Sequence, residues 1–332
     1  MVNFWGGLKY SFFIIMCTVF VACTAVSESD PMEIKSLATE INSLFVRARK
    51  EIEALKLVTQ KNLEYPQSED LLDDSRYKYT NTHVYYTPVD DGHCEIWASG
   101  RIPIGASEKK RINIFEHLCP ELQGIYNRSN FVDNIYLTTY DSIVIAYPYA
   151  DMYAYLKPGL DLTKVWVTYW AAAEKANPEQ KTLWVNPYID AIGRGYMTSI
   201  ITPVYRNNFL EGTLGIDITI DLISDAFISL SKKNLMIVTA RTIPVAINKN
   251  SSRILKIKGL EKYNYLKKEA ENQSISSSLM MTKSSSKDIR SIAQWILSSE
   301  KKTNLKILEK NYIFLKEELP EVGWFLIELI EN

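Results

Sequence analysis

Apolar side chains recur at helical spacing through 31–63, and charged side chains fill the positions between them. The apolar positions of this segment are Ile34, Leu37, Ile41, Leu44, Phe45, Ile52, Leu55 and Leu57. Spacing of three and four residues places such side chains on one face of a helix. Pro66 ends the pattern, because proline is not tolerated in a helix interior. The sequence therefore predicts one long helix over 32–64 with a single buried face.

Shorter stretches follow in which apolar and polar residues alternate or form brief apolar runs. Before residue 222 they predict strands near 82–89, 94–104, 134–139, 142–147, 183–188, 197–205 and 212–220. Helices are predicted over 108–126 and 168–176, and a connecting helix over 221–233. The second half repeats this plan, with a strand pair over 235–247, a helix over 288–299 and three closing strands. Strand runs with helices at their ends predict an α+β fold with antiparallel sheets.

The N-terminus predicts export and attachment to a membrane. Lys9 precedes an apolar run over 12–22, which is shorter than the roughly 20 residues of a membrane-spanning helix and fits a signal peptide over 1–22. Cys23 follows "FVA" directly, which resembles a bacterial lipobox and predicts a lipidated Cys23 with a linker over 23–31. An uncleaved anchor over 10–26 is the alternative. Both interpretations place the remaining chain in the periplasm or at the cell exterior.

Composition places the chain among globular proteins, with 46% hydrophobic and 23% charged residues. Tyr is frequent, at 20 residues, which suits strand-rich cores and semi-polar pockets. The net charge of −1 and the lack of a dense basic block argue against a nucleic-acid partner. Phosphate-binding glycine loops and serine-nucleophile motifs are lacking, and His83, His93 and His117 do not show zinc-ligand spacing. No metal or cofactor is predicted.

Two cysteines, Cys94 and Cys119, lie in the part of the chain that is predicted to be exported. A disulfide between them is favoured because exported proteins meet an oxidising environment. The alternative is a pair of buried free thiols.

Two acidic residues, Asp190 and Asp217, stand inside stretches that otherwise predict buried strands. A buried carboxylate is costly unless a cation or hydrogen-bond donors meet it. Each residue also has a purely structural explanation. Asp190 could be an ordinary turn residue before glycine. Asp217 could form an ion pair with an internal cation such as Arg194. Strand alternation places Asp217 on a small, polar face that suits a cavity floor. The residues of that face are Thr213, Gly215, Asp217 and Thr219, and those of the opposite face are Leu214, Ile216, Ile218 and Ile220.

Several segments together resemble the double Cache (dCache, PDC-type) family of extracytoplasmic sensor domains. They are "YDSIVIAYPY", "WVNPYIDAIGRGYMTS", "ITPVYRNNFLEGTLGIDITID" and the terminal "EVGWFLIELI". The resemblance implies a long N-terminal helix followed by two stacked PAS-like subdomains. The membrane-distal, ligand-binding subdomain would span 65–222. A connector helix and the membrane-proximal subdomain would span 223–332.

The resemblance also implies a ligand site. In amino-acid-binding members, an Arg with aromatic residues holds the ligand carboxylate, while Tyr and Asp side chains hold its amine. Trp166 stands where that Arg is expected, Thr168 occupies a usual Trp position, and the nearest cation is Lys164. An amine-bearing or cationic ligand is therefore expected instead of an α-amino acid. The complete candidate site is Asp190, Asp217, Tyr188, Tyr169, Trp166, Trp184 and Tyr147.

The function expected from the sequence is that of a small-molecule sensor without enzymatic activity. No second membrane helix or output domain follows, so the signal is expected to pass to a separate membrane partner, such as a kinase or chemoreceptor. One alternative is a solute-binding lipoprotein that serves a transporter. Others are a structural or adhesion lipoprotein with a vestigial pocket, and a hydrolase that uses Asp190 and Asp217 as paired carboxylates.

Overall fold

A computed structural model of the chain describes residues 31–65, 73–257 and 280–332. The predicted signal peptide, Cys23 and Pro66 lie outside these residues. The α-helices of the described part are α1 Pro31–Glu64, α2 Ala106–Glu116, α3 Cys119–Arg128, α4 Met152–Tyr155, α5 Leu162–Val165, α6 Val167–Trp170, α7 Ile220–Ile223, α8 Lys249–Leu255 and α9 Lys287–Leu297. None of the described helices has a stretch long and apolar enough to cross a lipid bilayer.

The strands form two antiparallel sheets. Their bounds are β1 Lys78–Tyr79, β2 Tyr85–Tyr86, β3 Glu95–Ala98, β4 Asn134–Thr139, β5 Ile143–Tyr147, β6 Leu183–Ile189, β7 Tyr196–Arg206, β8 Phe209–Thr219, β9 Asn234–Thr239, β10 Pro244–Ile247, β11 Lys302–Ile307, β12 Lys310–Leu319 and β13 Trp324–Glu331. The first sheet has 8 strands in the order β1-β2-β3-β5-β4-β8-β7-β6, and the second has 5 in the order β10-β9-β13-β12-β11. The predicted α+β class, with a long first helix and antiparallel sheets, is confirmed.

Helix α1 packs against both sheets and joins their cores. Its apolar side chains belong to one buried cluster with residues of β7 and β8 in the first sheet and of β12 and β13 in the second. Phe45 is fully buried, and its ring meets the edges of Trp184 at 5.1 Å and Trp324 at 5.5 Å between centroids. Burying side chains of this size contributes roughly 1.5–3 kcal/mol each, so α1 stabilises both sheets together.

The first sheet has one apolar face toward α1 and one mixed face away from it. Strand β8 shows the division, because Leu214, Ile216 and Ile218 lie in the α1 cluster. On the other face, Tyr136 and Val144 belong to a separate cluster with Met152 and Ile192, which come from the segments that cover this face. Consecutive side chains of a strand point to opposite faces, so Asp217 lies on the face away from α1, as the alternation predicts.

The helices around the first sheet are shorter than the sequence patterns predict. The predicted helix over 108–126 is two helices, α2 and α3, because Pro120 occupies the first turn of α3. Proline is favourable there but would break a continuous helix. The predicted connector over 221–233 is the single turn α7 followed by one π-helical turn, Ser224–Ile228. The predicted helix over 168–176 is reduced to α6.

Cys94 and Cys119 form a disulfide, with their Cα atoms 5.6 Å apart. Cys94 precedes β3 directly and Cys119 begins α3, so the bond ties this helix to the sheet. In the chain-entropy account, closing a loop of 25 residues stabilises a fold by about 3.5 kcal/mol.

The second sheet lies between α1 and α9. Leu235, Ile237 and Leu326 face the α1 cluster, whereas Met236, Phe314 and Ile327 pack with α9. Lys316 also lies on the α9 side and is only 6% exposed. Its Nζ donates to the carbonyl oxygens of Ile296 and Ser298, both at 2.8 Å, at the end of α9.

Candidate functional site

A small cavity lies on the face of the first sheet that points away from α1. Its volume is about 30 Å³, which suits a group of the size of one water molecule. Its lining residues are Asn134, Tyr136, Val144, Met152, Trp166, Thr168, Tyr188, Asp190, Ala191, Ile192 and Asp217. The cavity therefore combines two carboxylates, several hydroxyl and amide groups and three aromatic rings.

A row of polar side chains crosses three neighbouring strands beside this cavity. Register places Asn134 of β4 opposite Asp217 of β8, and Asp217 opposite Ser199 of β7. All three residues are buried, with exposures of 3%, 4% and 0%. Paired residues of adjacent strands point to the same face, so the pairing brings these side chains together although they are far apart in sequence.

The hydrogen-bond partners of the Asp217 carboxyl group are hydroxyl groups and not a cation. Its Oδ1 accepts hydrogen bonds from Ser199 Oγ at 2.6 Å and from the Tyr188 hydroxyl at 3.5 Å, and the Tyr136 hydroxyl also bonds to its carboxyl group. Burial raises the pKa of Asp217 to about 8, against the opposing effect of the Ser199 hydrogen bond. Asp217 is therefore largely protonated at neutral pH.

The internal ion pair considered for Asp217 is not formed. Arg194 donates instead to Asp133, with Nη1 2.8 Å from Oδ2 and 2.9 Å from the backbone carbonyl oxygen. No ion pair within the described part of the chain includes Asp217 or Asp190.

Asp190 both shapes a turn and lines the cavity. Its Oδ2 accepts from the backbone N–H groups of Ile192 at 3.2 Å and Arg194 at 2.9 Å, so the turn interpretation of this residue holds. Burial raises the pKa of Asp190 to about 6, although the Arg194 N–H favours its charged form. At neutral pH this carboxylate gives the cavity a negative charge.

Gly215 makes room for an aromatic wall. It lies between Leu214 and Ile216 on β8, opposite Tyr136 of β4, and a Cβ at this position would overlap the Tyr136 ring. Tyr136 can therefore lie over the strand and direct its hydroxyl toward Thr168, Ser199 and Asp217, to which it is hydrogen-bonded. The glycine of "GID" thus positions one ring of the site.

The outer wall is held in place by a buried acid. Glu95 of β3 accepts from the backbone N–H groups of Ala150 at 2.8 Å and of Met152 at 2.7 Å. Burial raises the pKa of Glu95 to about 7, while the two N–H groups favour its charged form. Because Met152 lines the cavity, Glu95 fixes the position of one wall without touching the cavity itself.

The structure brings four of the seven candidate residues to the cavity: Asp190, Asp217, Tyr188 and Trp166. Trp184 does not reach it. Strand β6 is irregular between Val185 and Tyr188, which places these two residues in one cluster and leaves Trp184 on the other face. There Trp184 donates from Nε1 to Glu321 at 2.9 Å and packs on Phe45.

Tyr147 and Tyr169 also lie outside the cavity lining. Tyr147 pairs with Ile135 across β4 and β5 and therefore shares its face, where it meets the Tyr126 ring at 5.3 Å. Tyr169 is buried, and its electrostatic neighbours, Asp141 and Glu211 among them, lie at the opposite end of β4 and β8 from Asp217. The nearest predicted cation, Lys164, is exposed and pairs with Asp161 at 3.2 Å.

Sequence patterns missed several residues of the site. Asn134 and Tyr136 were recognised only as part of a strand, because their pairing with β8 is set by long-range register. Glu95, like Asp217, is an acidic residue within an apolar run, "CEIWA". This pattern could have identified Glu95 as a residue near the site.

Solved structures of ligand-binding domains are similar to this chain. The ligand-binding domain of the Pseudomonas aeruginosa PAO1 chemoreceptor PctB in complex with L-Gln aligns with a TM-score of 0.51 and 12% identity, covering 91% of this chain and 89% of that domain. The PctB domain in complex with L-Arg aligns with a TM-score of 0.48 and 11% identity, covering 91% of this chain and 93% of that domain. The ligand-binding domain of the Campylobacter jejuni chemoreceptor Tlp3 in complex with L-norvaline aligns with a TM-score of 0.45 and 13% identity, covering 91% of this chain and 95% of that domain.

The likeness to PctB with L-Gln shows the fold. The chain has the two-sheet, long-helix fold of a double Cache ligand-binding domain, and the resemblance predicted from the sequence is confirmed at this level. No family model matches the sequence, and no curated protein matches it.

Proposed function

We propose that this chain is an exported sensor module that binds an amine-bearing ligand in the cavity under Asp217. The observation that carries this proposal is a buried carboxylate in a cavity, whose partners are hydroxyl groups and which forms no ion pair with any described residue. An ammonium group would supply both the missing charge and N–H donors. Each charge-assisted hydrogen bond to it would contribute roughly 1.5–3 kcal/mol.

The aromatic walls support the same ligand class. Tyr136, Tyr188 and Trp166 line the cavity together with the two carboxylates. The faces of such rings attract cations, most strongly where water is excluded. The lining residues of the described cavity include no Lys, Arg or His, so a ligand carboxylate would find no cation there. This composition favours amines that lack a carboxylate over α-amino acids, although PctB was solved with amino acids.

Binding rather than catalysis is the role that we propose. Asp217 carries a proton in the empty site, and the neighbouring groups are hydroxyls engaged with one another, such as Tyr188 and Ser199 at 2.7 Å. The signal would pass to a separate membrane protein of the chemoreceptor or kinase type. PctB, which shares the fold, is a chemoreceptor.

Binding to Asp217 can be tested with a panel of amines. Calorimetric titration of the purified protein should detect binding of small primary amines. The Asp217→Asn variant, which keeps the shape and removes the charge, should weaken this binding more than about tenfold, or roughly 1.4 kcal/mol. Asp221→Asn makes the same chemical change at an exposed residue four positions along and serves as the control. Binding that Asp217→Asn leaves unchanged would remove Asp217 from the site.

Export and membrane attachment are part of the proposal. The disulfide between Cys94 and Cys119 supports export, because such bonds persist in oxidising compartments. Attachment through Cys23 rests on the sequence "FVAC". Replacement of Cys23 by Ala should release the protein from the membrane fraction or leave its signal peptide uncleaved. A Cys23→Ala protein that fractionates and migrates like the wild type would contradict lipidation.

A further inference from the structure

Asn134 is a buried residue of the cavity whose amide oxygen has no hydrogen-bond partner in the described part of the chain. Its side chain is on β4, it lines the cavity, and the residue is 3% exposed. Its Oδ1 is enclosed by the protein and accepts no hydrogen bond from the described residues. Such an acceptor destabilises the empty protein unless a donor reaches it, so an orphan acceptor inside a cavity indicates the place of a ligand donor.

The position of Asn134 relative to Asp217 restricts what that donor can be. The two residues are directly opposite each other across β4 and β8. Side chains in such a pair have Cβ atoms about 4.5–5.5 Å apart. One nitrogen between the two side chains can therefore lie at hydrogen-bond distance, about 2.9 Å, from both acceptors. The cavity volume of about 30 Å³ has room for such a nitrogen between the two side chains.

We propose that Asn134 is a specificity-determining residue that requires two N–H donors on the same ligand nitrogen. One N–H would bond to the carboxylate of Asp217 and the other to Oδ1 of Asn134. The site would thus select primary and secondary amines over tertiary and quaternary ones. This inference rests on the proposed amine-binding function and names the class of amine within it.

The aromatic rings alone would give the opposite selection. A cage of Tyr136, Tyr188 and Trp166 that acted only through its π faces would hold a quaternary ammonium well, because cation–π attraction needs no N–H. A quaternary nitrogen would leave both acceptors without donors. The order of affinities across a methylation series therefore separates the two kinds of recognition.

The test is a calorimetric titration with four ligands that share one carbon chain. They are propylamine, N-methylpropylamine, N,N-dimethylpropylamine and trimethylpropylammonium, all cationic at pH 8. We expect the first two to bind at least about tenfold more tightly than the last two, because only these offer two N–H donors. Equal affinities, or tightest binding of the quaternary ion, would overturn the inference while leaving amine binding itself intact.

Variants at residue 134 test which side chain sets this preference. Asn134→Leu keeps the number and branching of the side-chain heavy atoms and has no acceptor, so propylamine should bind it about tenfold more weakly while the tertiary amine binds as before. Asn134→Asp keeps an acceptor and should keep the preference for N–H donors. Asn127→Leu, on the exposed surface of α3, is the matched control and should match the wild type. Asn134→Leu with the full wild-type preference would also overturn the inference.

The outcomes distinguish this inference from the function on which it rests. If no member of the series binds the wild-type protein, the proposed amine-binding function is wrong, and the inference falls with it. If Asn134→Leu does not fold, the wild-type series and Asn134→Asp still decide the matter, because the preference for N–H donors is measured on folded proteins in both.

Discussion

Amine affinity should fall about fiftyfold when the pH is lowered from 8 to 6. Burial raises the pKa of Asp217 to about 8 in the empty site, so a proton competes with the ligand for its carboxylate. Below this pKa, each pH unit weakens binding of an ammonium group up to about tenfold, since one proton must leave for each ligand that enters. Titration of propylamine in buffers between pH 6 and 9 measures this dependence.

Above pH 8 the affinity should level off, because Asp217 is then ionised without the ligand while the amine is still protonated. In Asp217→Asn the fiftyfold dependence should shrink to the small contribution of Asp190, whose pKa of about 6 matters only at the acid end. Affinity that does not change between pH 6 and 8 in the wild type would show that Asp217 is already charged, and would contradict its protonation in the empty site.

The stability of the empty protein should change with pH in the opposite direction. A carboxyl group whose pKa is higher in the folded than in the unfolded state binds more protons when folded, so the free energy of unfolding decreases as pH rises through that window. For Asp217 the window extends from about 4 to 8, and for Glu95, with a pKa of about 7, it ends earlier. Urea unfolding between pH 7 and 9 therefore reports mainly on Asp217, with a smaller contribution from Glu95 near pH 7. Most of the decrease seen there should be lost in Asp217→Asn.

Local pattern was enough to locate Asp217 but not its neighbours. Alternation along β8 has a period of two, and this strand is regular around Asp217, so the sequence predicts correctly which side chains share its face. Trp184 was expected in the site only from the family resemblance, and local pattern could not have corrected this. Strand β6 is irregular between Val185 and Tyr188, which places Trp184 and Tyr188 on opposite faces, and such a bulge has no signal in single residues.

The remaining parts of the site depend on contacts between distant segments. Asn134 and Tyr136 reach Asp217 only through the register of β4 on β8, and Glu95 acts through the backbone of the segment around Met152. Neither contact has a local signature. The fold is easier to predict from the sequence than the site. The apolar periodicity of α1 and the regular strand runs each specify one element, whereas a cavity is formed by several elements together.

Lys316→Met should lower the free energy of unfolding by about 2–3 kcal/mol. The ammonium group of Lys316 is buried against the end of α9, where it donates to the carbonyl oxygens of Ile296 and Ser298 at 2.8 Å and of Trp295 at 3.3 Å. It also lies over the rings of Trp295 and Phe325 at about 5 Å. Methionine keeps the apolar stem but leaves the carbonyl oxygens without their donor, and each unsatisfied buried acceptor costs about 1–3 kcal/mol.

The same strand offers a matched control in Lys310, six residues before Lys316. Lys310 is exposed and pairs with Glu331, and surface ion pairs contribute about 0–1 kcal/mol. Lys310→Met should therefore shift the urea midpoint only slightly. Hydrogen exchange adds a local readout, because loss of the Lys316 cap should speed exchange of the last amides of α9 while the amides of β8 in the first sheet stay protected. Equal shifts for the two variants, or unchanged exchange at the end of α9, would show that Lys316 contributes through its stem and not through its charge.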